Sequence, residues 1–163
     1  MKITFWWKVA TMQSRESAIQ TIFNRHEDAV YITNTGYISR AVYSMYPENK
    51  NIFYMQGSMG LAPCIGLGVA KNTHKDVVVL SGDAALLMHL GITHNIRDAK
   101  LDNLYVYVLD NGCHESVGGY QSPHLENSYC GVNEIFKISN DGKNDRVGVG
   151  CYENTMNVKE YLS

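Results

Sequence analysis

Four short runs of β-prone residues each stop on polar or glycine-rich residues, and helix-length segments separate them. Ala29-Val30-Tyr31-Ile32 closes on Asn34-Thr35-Gly36, and Ile52-Phe53-Tyr54-Met55 on Gly57-Ser58-Met59-Gly60. Val77-Val78-Val79-Leu80 closes on Ser81-Gly82-Asp83, and Leu104-Tyr105-Val106-Tyr107-Val108-Leu109 on Asp110-Asn111-Gly112. Such alternation implies an α/β fold, a doubly wound and mostly parallel sheet with helices on both faces. The run from Val77, apolar on both faces, reads as a buried parallel strand. Ligands of such sheets sit beyond the carboxyl ends of the strands, so the four endings meet at one edge. Function is expected there.

The helices read less sharply. Ser14 or Ser17 caps an amphipathic helix that runs to Phe23. Residues 38–46 and 61–70 are helical, with Pro63 tolerable in a first turn, and residues 84–99 read as one helix. Residues 134–138 form a last strand and residues 154–162 a weak terminal helix. A length of 163 residues and an apolar content of 45% suit one domain over 1–163. Fourteen Lys+Arg against 16 Asp+Glu give a net charge of -2, which argues against nucleic acid or an anionic membrane as the main partner. The first eight residues, Met1-Lys2-Ile3-Thr4-Phe5-Trp6-Trp7-Lys8, lack the about 7–15 uninterrupted apolar residues of a secretory leader. No stretch approaches the ~18 apolar residues of a membrane span. Cys64, Cys113, Cys130 and Cys151 form no CxxC pair, so reduced thiols in a cytoplasmic protein are expected.

Asp83 and Asn111 lie 28 positions apart, about one strand-helix-strand unit. On neighbouring strands, the carboxylate and amide oxygens come within reach of one ion. Two hard oxygen donors beside glycine suit Mg²⁺, which keeps waters and takes its other ligands from phosphates. Gly82 and Gly112 let the backbone approach closely, and the N–H groups at Ala84 and Ala85 offer donors to an anion. Taken singly, Asp83 is an N-cap and Asn111 a turn residue; the pairing at this spacing favours the ion.

Gly82-Asp83-Ala84, followed after 25 residues by Asp110-Asn111, resembles the thiamine-diphosphate motif, usually written GDG and, after a gap in the mid-twenties, NN. Ala84 and Asp110 depart from it without touching a side-chain ligand. The resemblance implies thiamine diphosphate and Mg²⁺, the ion held by Asp83, Asn111 and the backbone carbonyl of Cys113. Gly57-Ser58-Met59-Gly60 resembles the loop whose apolar residue, here Met59, wedges between the cofactor's rings. Thr35-Gly36 followed by Ser39-Arg40, then Leu86-Leu87-Met88, then Asn111-Gly112-Cys113-His114-Glu115-Ser116-Val117-Gly118-Gly119 is similar to the phosphonopyruvate and sulfopyruvate decarboxylases. The similarity runs from about residue 14 to 121, and its His-Glu-Ser stretch leans towards the phosphonopyruvate branch.

In that family a glutamate from a separate pyrimidine-binding domain is also needed, and this chain resembles only the diphosphate-binding half. A second polypeptide is therefore expected to supply the pyrimidine half and its glutamate; homo-oligomerisation is open. The substrate implied is a small 2-oxo acid carrying a phosphonate or sulfonate. His114 is placed to face the substrate's anionic group or to shuttle a proton. Glu115 is either a partner behind it or a solvated loop carboxylate. Arg40 either holds the phosphonate or sulfonate bidentately or is a surface arginine of its helix. The remaining histidines read as surface or helix-packing residues, and Cys113 with His114 is not a nucleophile–base pair. Residues 122–133 are too short for the strand–helix pair that such proteins carry there, so the fold is expected to be shortened near its C-terminus by about one βα unit, with a partner covering the edge or the sheet one strand short. The readings left open are a remnant module that binds cofactor or partner without catalysis, and a subunit of a carboligase using the same cofactor.

Overall fold

Val77, Val78, Val79 and Leu80 have no exposed surface, which places their strand at the centre of a sheet covered on both faces. The structure is a computed structural model and describes residues 12–123, 125, 128–140 and 144–163. The expectations about residues 1–8 and about His124 lie outside the described residues. In chain order the elements are α1 (Arg15–Phe23), β1 (Ala29–Thr33), α2 (Tyr37–Met45), β2 (Ile52–Tyr54), α3 (Ala62–Ala70), β3 (Asp76–Gly82), α4 (Asp83–Met88), α5 (Ile92–Ala99) and β4 (Leu104–Asp110). After them come β5 (Cys113–His114), a 3₁₀ turn (Glu115–Val117), β6 (Tyr120–Gln121), β7 (Glu134–Lys137) and α6 (Cys151–Leu162).

Five strands form one parallel sheet in the order β2-β1-β3-β4-β7, while β5 and β6 make a small antiparallel hairpin. The chain winds outward from β1 to β2, then crosses to β3 on the other side of β1 and continues to β4 and β7. The reversal between β1 and β3 is where an open α/β sheet leaves a crevice for a ligand. Alternation along β3 separates two cores. Val78 and Leu80 pack with Ile19 and Ile22 of α1 and Val42 of α2. Val77 and Val79 pack with Ala62 and Ala70 of α3 and Ile96 of α5.

The α/β architecture with helices on both faces is as the sequence implies. Ser14, rather than Ser17, is the N-cap of α1, its Oγ accepting from the N–H of Ser17 at 3.0 Å. Pro63 lies in the first turn of α3. The single helix expected over residues 84–99 is broken. α4 ends at Met88, His89 leaves helical geometry, and the chain resumes at Ile92. One straight helix of that length would run about 24 Å from the strand end. The break instead turns Thr93 and Ile96 inward, where both are buried.

β7 pairs directly with β4, Asp110 opposite Lys137, and no helix occurs among the described residues between β6 and β7. The outer side of β7 meets Gln13, which bridges to Ile138. At the opposite edge one α6 side chain closes β2. Asn154 Oδ1 accepts from Tyr54 N at 2.9 Å, and its Nδ2 donates to Ile52 O at 2.6 Å. This amide stands in for a neighbouring strand on an edge that is otherwise open to pairing. Asn154→Ala should lower stability by about 1–3 kcal/mol, because the buried N–H and C=O lose their partners. Urea denaturation measures it, and Asn154→Asp, which keeps only the acceptor, should fall in between.

No helix among the described residues is long and apolar enough to cross a membrane. The four cysteines are free.

Candidate functional site

The crevice at the sheet's carboxyl edge is a cleft lined by Thr35, Met59, Gly82, Asp83, Ala84, Ala85, Asn111, Cys113, His114 and Glu115, together with Arg15 and Asn34. Ten of the residues singled out in the sequence therefore share one cavity. Gly36, Gly57 and Ser58 line an adjoining cavity, which shares Thr35, Met59 and Ser116 with the first.

β3 and β4 are direct neighbours with Gly82 opposite Leu109, so Asp83 and Asn111 leave adjacent strands. Asp83 is 3% exposed. Burial pushes its carboxyl up from the ordinary aspartate range; the Ser122 hydroxyl and the Ala84 N–H pull it back, and nearby Asp110 pushes upward again. Ser122 Oγ donates to Asp83 Oδ2. The Ala84 N–H, expected to face an anion, thus supports the Asp83 carboxylate.

The Asn111 amide is held from one side. Its Nδ2 donates to Glu115 Oε2 at 3.0 Å, and its Oδ1 accepts only a long 3.3 Å contact from Cys113 N. Glu115 also receives Arg15 Nη2, so it is a buried-side ion-pair partner and not a solvated loop carboxylate. Asp110 is buried, pairs with Lys137, and accepts the Gly112 N–H at 3.0 Å. A carboxylate at this place fastens the turn that presents Asn111.

Charge in the cleft is unevenly met. Glu115 has Arg15 and Asp110 has Lys137, while Asp83 has no basic partner among the described residues. A buried, uncompensated carboxylate beside an amide oxygen free to accept fits a small hard cation. The described residues hold no group of three or more His, Cys, Asp or Glu suited to a metal. The oxygen donors brought together here are of another kind, one carboxylate and one amide.

Met59 is set by Asn34, a buried residue at the end of β1. Asn34 Oδ1 accepts from Gly60 N at 3.1 Å and its Nδ2 donates to Thr35 O at 3.2 Å. The hydroxyl of Ser39 ties the ends of β1 and β2 together through Thr33 Oγ1 (2.7 Å), Asn34 O (2.8 Å) and Met55 O (3.2 Å). Arg40 lies outside the Asp83 cleft. Its guanidinium stacks 5.0 Å from the Tyr37 ring centroid, and it lines the adjoining cavity with Arg146. His114 lines the cleft, half-buried. Of the other histidines, His74, His89 and His94 are exposed. His26 is a buried packing residue, 2.9 Å from the Tyr107 hydroxyl through Nε2. Burial pushes the Cys113 thiol up, away from nucleophilic character.

A family model, thiamine pyrophosphate enzyme, C-terminal TPP binding domain, matches residues 32–146, a span that holds every singled-out site residue. The chain belongs to this family. Among curated members, the sulfopyruvate decarboxylase subunit beta of Methanothermobacter thermautotrophicus is 41% identical over 107 residues, covering 66% of this chain and 57% of that protein. The phosphonopyruvate decarboxylase of Streptomyces viridochromogenes is 42% identical over 95 residues, covering 58% of this chain and 24% of its own length. The subunit beta of sulfopyruvate decarboxylase from Methanococcus maripaludis matches more of both chains, 89% and 81%, at 27% identity. A solved structure from Mycobacterium smegmatis, of a protein taken to be thiamin diphosphate-dependent, superposes on 71% of the chain with a TM-score of 0.58 and 22% identity, which shows the shared fold. This thiamine pyrophosphate enzyme domain thus spans little more than half of the first relative and about a quarter of the second.

Two residues at the cleft carried no sequence signal. Arg15 sits in the first turn of an amphipathic helix and Ser122 in a loop; only the assembled sheet edge brings Arg15 to Glu115 and Ser122 to Asp83.

Proposed function

We propose that this chain is the diphosphate-binding part of a thiamine-diphosphate- and Mg²⁺-dependent decarboxylase of a three-carbon 2-oxo acid bearing a phosphonate or sulfonate. The observation that carries the reading is the Asp83–Asn111 pair at adjacent strand ends, with Asp83 left without a basic partner among the described residues. Asp83, Asn111 and the Cys113 carbonyl would hold Mg²⁺, and Met59 would support the bent cofactor. When bound, the thiazolium ring supplies the electron sink for the pair left behind by departing CO₂. The chain's own contribution is positional. Asn34 anchors the loop of Met59, Glu115 orients Asn111, and the hairpin of β5 and β6 carries His114 to the cleft wall. His114 is assigned to hold the substrate's anionic end or to carry a proton to the product carbon.

Relatives named as subunit beta support a second chain that brings the pyrimidine half and its glutamate. Free cysteines agree with a cytoplasmic setting. The test is product analysis on phosphonopyruvate and sulfopyruvate. The chain alone should release no CO₂ above background, and co-expression with a pyrimidine-domain partner should restore release dependent on Mg²⁺ and thiamine diphosphate. Release by the chain alone would overturn the two-chain reading.

A further inference from the structure

Arg15 is the largest fully buried side chain among the described residues, 1% exposed. Its Nη2 is spent on Glu115, and its guanidinium carbon lies 5.6 Å from the centroid of Tyr37. Its Nη1 is buried and meets no acceptor among the described residues. A guanidinium carries five donors in a fixed fork, and an unmet buried donor on a charged group is a costly arrangement that calls for an acceptor. Arg15 lines the cleft that Asp83 and Asn111 also line. The other basic groups nearby are engaged elsewhere, Lys137 with Asp110 and Arg40 against Tyr37 in the adjoining cavity.

We propose that Arg15 is an oxyanion-binding residue of this cleft, its Nη1 donating to the diphosphate that Asp83 and Asn111 hold through the cation, while its Nη2 acts through Glu115 to orient Asn111. The inference rests on the cofactor reading above and adds a residue and a division of labour to it. Glu115 Oε2 accepts from both Arg15 Nη2 and Asn111 Nδ2, so Arg15 stands one carboxylate away from the metal-binding amide. An ionised carboxylate only accepts. It therefore fixes Nδ2 on its own side and turns Oδ1 outward. The cavity beyond Thr35 and Met59 has basic residues of its own, Arg40 and Arg146, which would meet a substrate anion together with His114 and apart from the diphosphate. The two oxyanion sources are thereby assigned to different arginines.

The test uses the full chain with inorganic pyrophosphate and Mg²⁺, followed by calorimetry, and methylphosphonate as the substrate-like anion. Arg15→Lys keeps a cation opposite Glu115, but one ammonium cannot also replace the second arm of the fork. It should weaken Mg²⁺–pyrophosphate binding about ten- to hundredfold, as the loss of a charge-assisted hydrogen bond does. Methylphosphonate binding should stay within about twofold, and the ligand-free melting temperature should hold within a few degrees. Glu115→Gln should leave the donor in place yet raise the Mg²⁺ concentration needed for half-maximal pyrophosphate binding, a shift that lost packing alone would not produce. Unchanged pyrophosphate affinity in Arg15→Lys, or a loss confined to methylphosphonate, overturns the assignment. Should Arg15→Lys fail to fold, the side-chain N–H signals of Arg15 in the wild-type protein decide by NMR. They must shift on addition of Mg²⁺–pyrophosphate, and silence overturns the proposal. Asp83→Ala separates the two levels. If it loses Mg²⁺-dependent pyrophosphate binding while Arg15→Lys does not, the cofactor reading stands and Arg15 is removed from it. If the wild-type chain shows no Mg²⁺-dependent binding of pyrophosphate, both fall.

Discussion

Asp83→Asn is expected to abolish Mg²⁺-dependent binding of thiamine diphosphate and, at the same time, to make the ligand-free protein harder to melt. Both effects follow from one carboxylate. Asp83 is buried, and burial holds its carboxyl above the ordinary aspartate value of 3.8. The native state then keeps this proton to a higher pH than the unfolded chain does. As pH climbs from the ordinary value through the raised one, the native state binds more protons than the unfolded state, so stability falls with pH across that window. Asparagine removes the charge but still accepts the Ser122 hydroxyl through Oδ1. The ligand-free variant should therefore melt a few degrees higher once the pH lies above that window. At a pH below the ordinary aspartate range the gain should vanish. A bound dication reverses the balance, because the ionised carboxylate is then the favoured form. Loss of this ligand should cost on the order of a hundredfold or more in Mg²⁺-dependent cofactor affinity. Calorimetry and pH-resolved thermal melts read the two effects separately. Retained Mg²⁺-dependent binding would remove Asp83 from the metal site, and a lower melting temperature above that window would mean that its hydrogen bonds outweigh its burial.

The placement of Asp83 and Asn111 was legible because it depends only on local signals and one neighbour relation. Each follows a β-prone run, and parallel pairing of β3 with β4 brings the two endings together. The same holds for the Met59 loop, which closes β2. What was not legible is what surrounds them. Arg15 meets Glu115 across 100 positions, Ser122 meets Asp83 across 39, and Lys137 meets Asp110 across 27. Nothing in the periodicity of α1 distinguishes Arg15 from a solvent-facing arginine, since its partners, Glu115 and Tyr37, lie on other elements. The edge cap of Asn154 spans 102 positions and is invisible for the same reason. The break in the helix expected over residues 84–99 shows a middle case. Gly91 is a visible weakness, but that α4 lies against Gly60 through Ala85, Met88 and His89 is not visible in the sequence. Departures from the motif were visible as residues and opaque as effects. Asp110, in place of the usual asparagine, turns out to hold the turn through the Gly112 N–H and Lys137.

That packed turn sets the second large expectation. Gly60→Ala should lower stability by about 2–4 kcal/mol, the sum of a left-handed backbone penalty and of overpacking, and should weaken cofactor binding in the same protein. Gly60 has φ +91°, and a Cβ there would stand 2.6 Å from His89 Nδ1 and 2.7 Å from the Ala85 carbonyl oxygen. The exposed His89 ring can swing away. The Ala85 carbonyl cannot, since it belongs to α4, the helix that opens with Asp83. Relief must come from the loop, whose Gly60 N–H is held by Asn34 Oδ1, and moving the loop carries Met59 out of the wall shared by the two cavities. Denaturant unfolding gives the stability term, and thiamine diphosphate titration at saturating Mg²⁺ gives the functional one. His89→Ala in the Gly60→Ala background should recover only a minor part of either, because the backbone contact and the positive φ persist. Full recovery in that double variant would assign the effect to the imidazole and free α4 from the role given to it here.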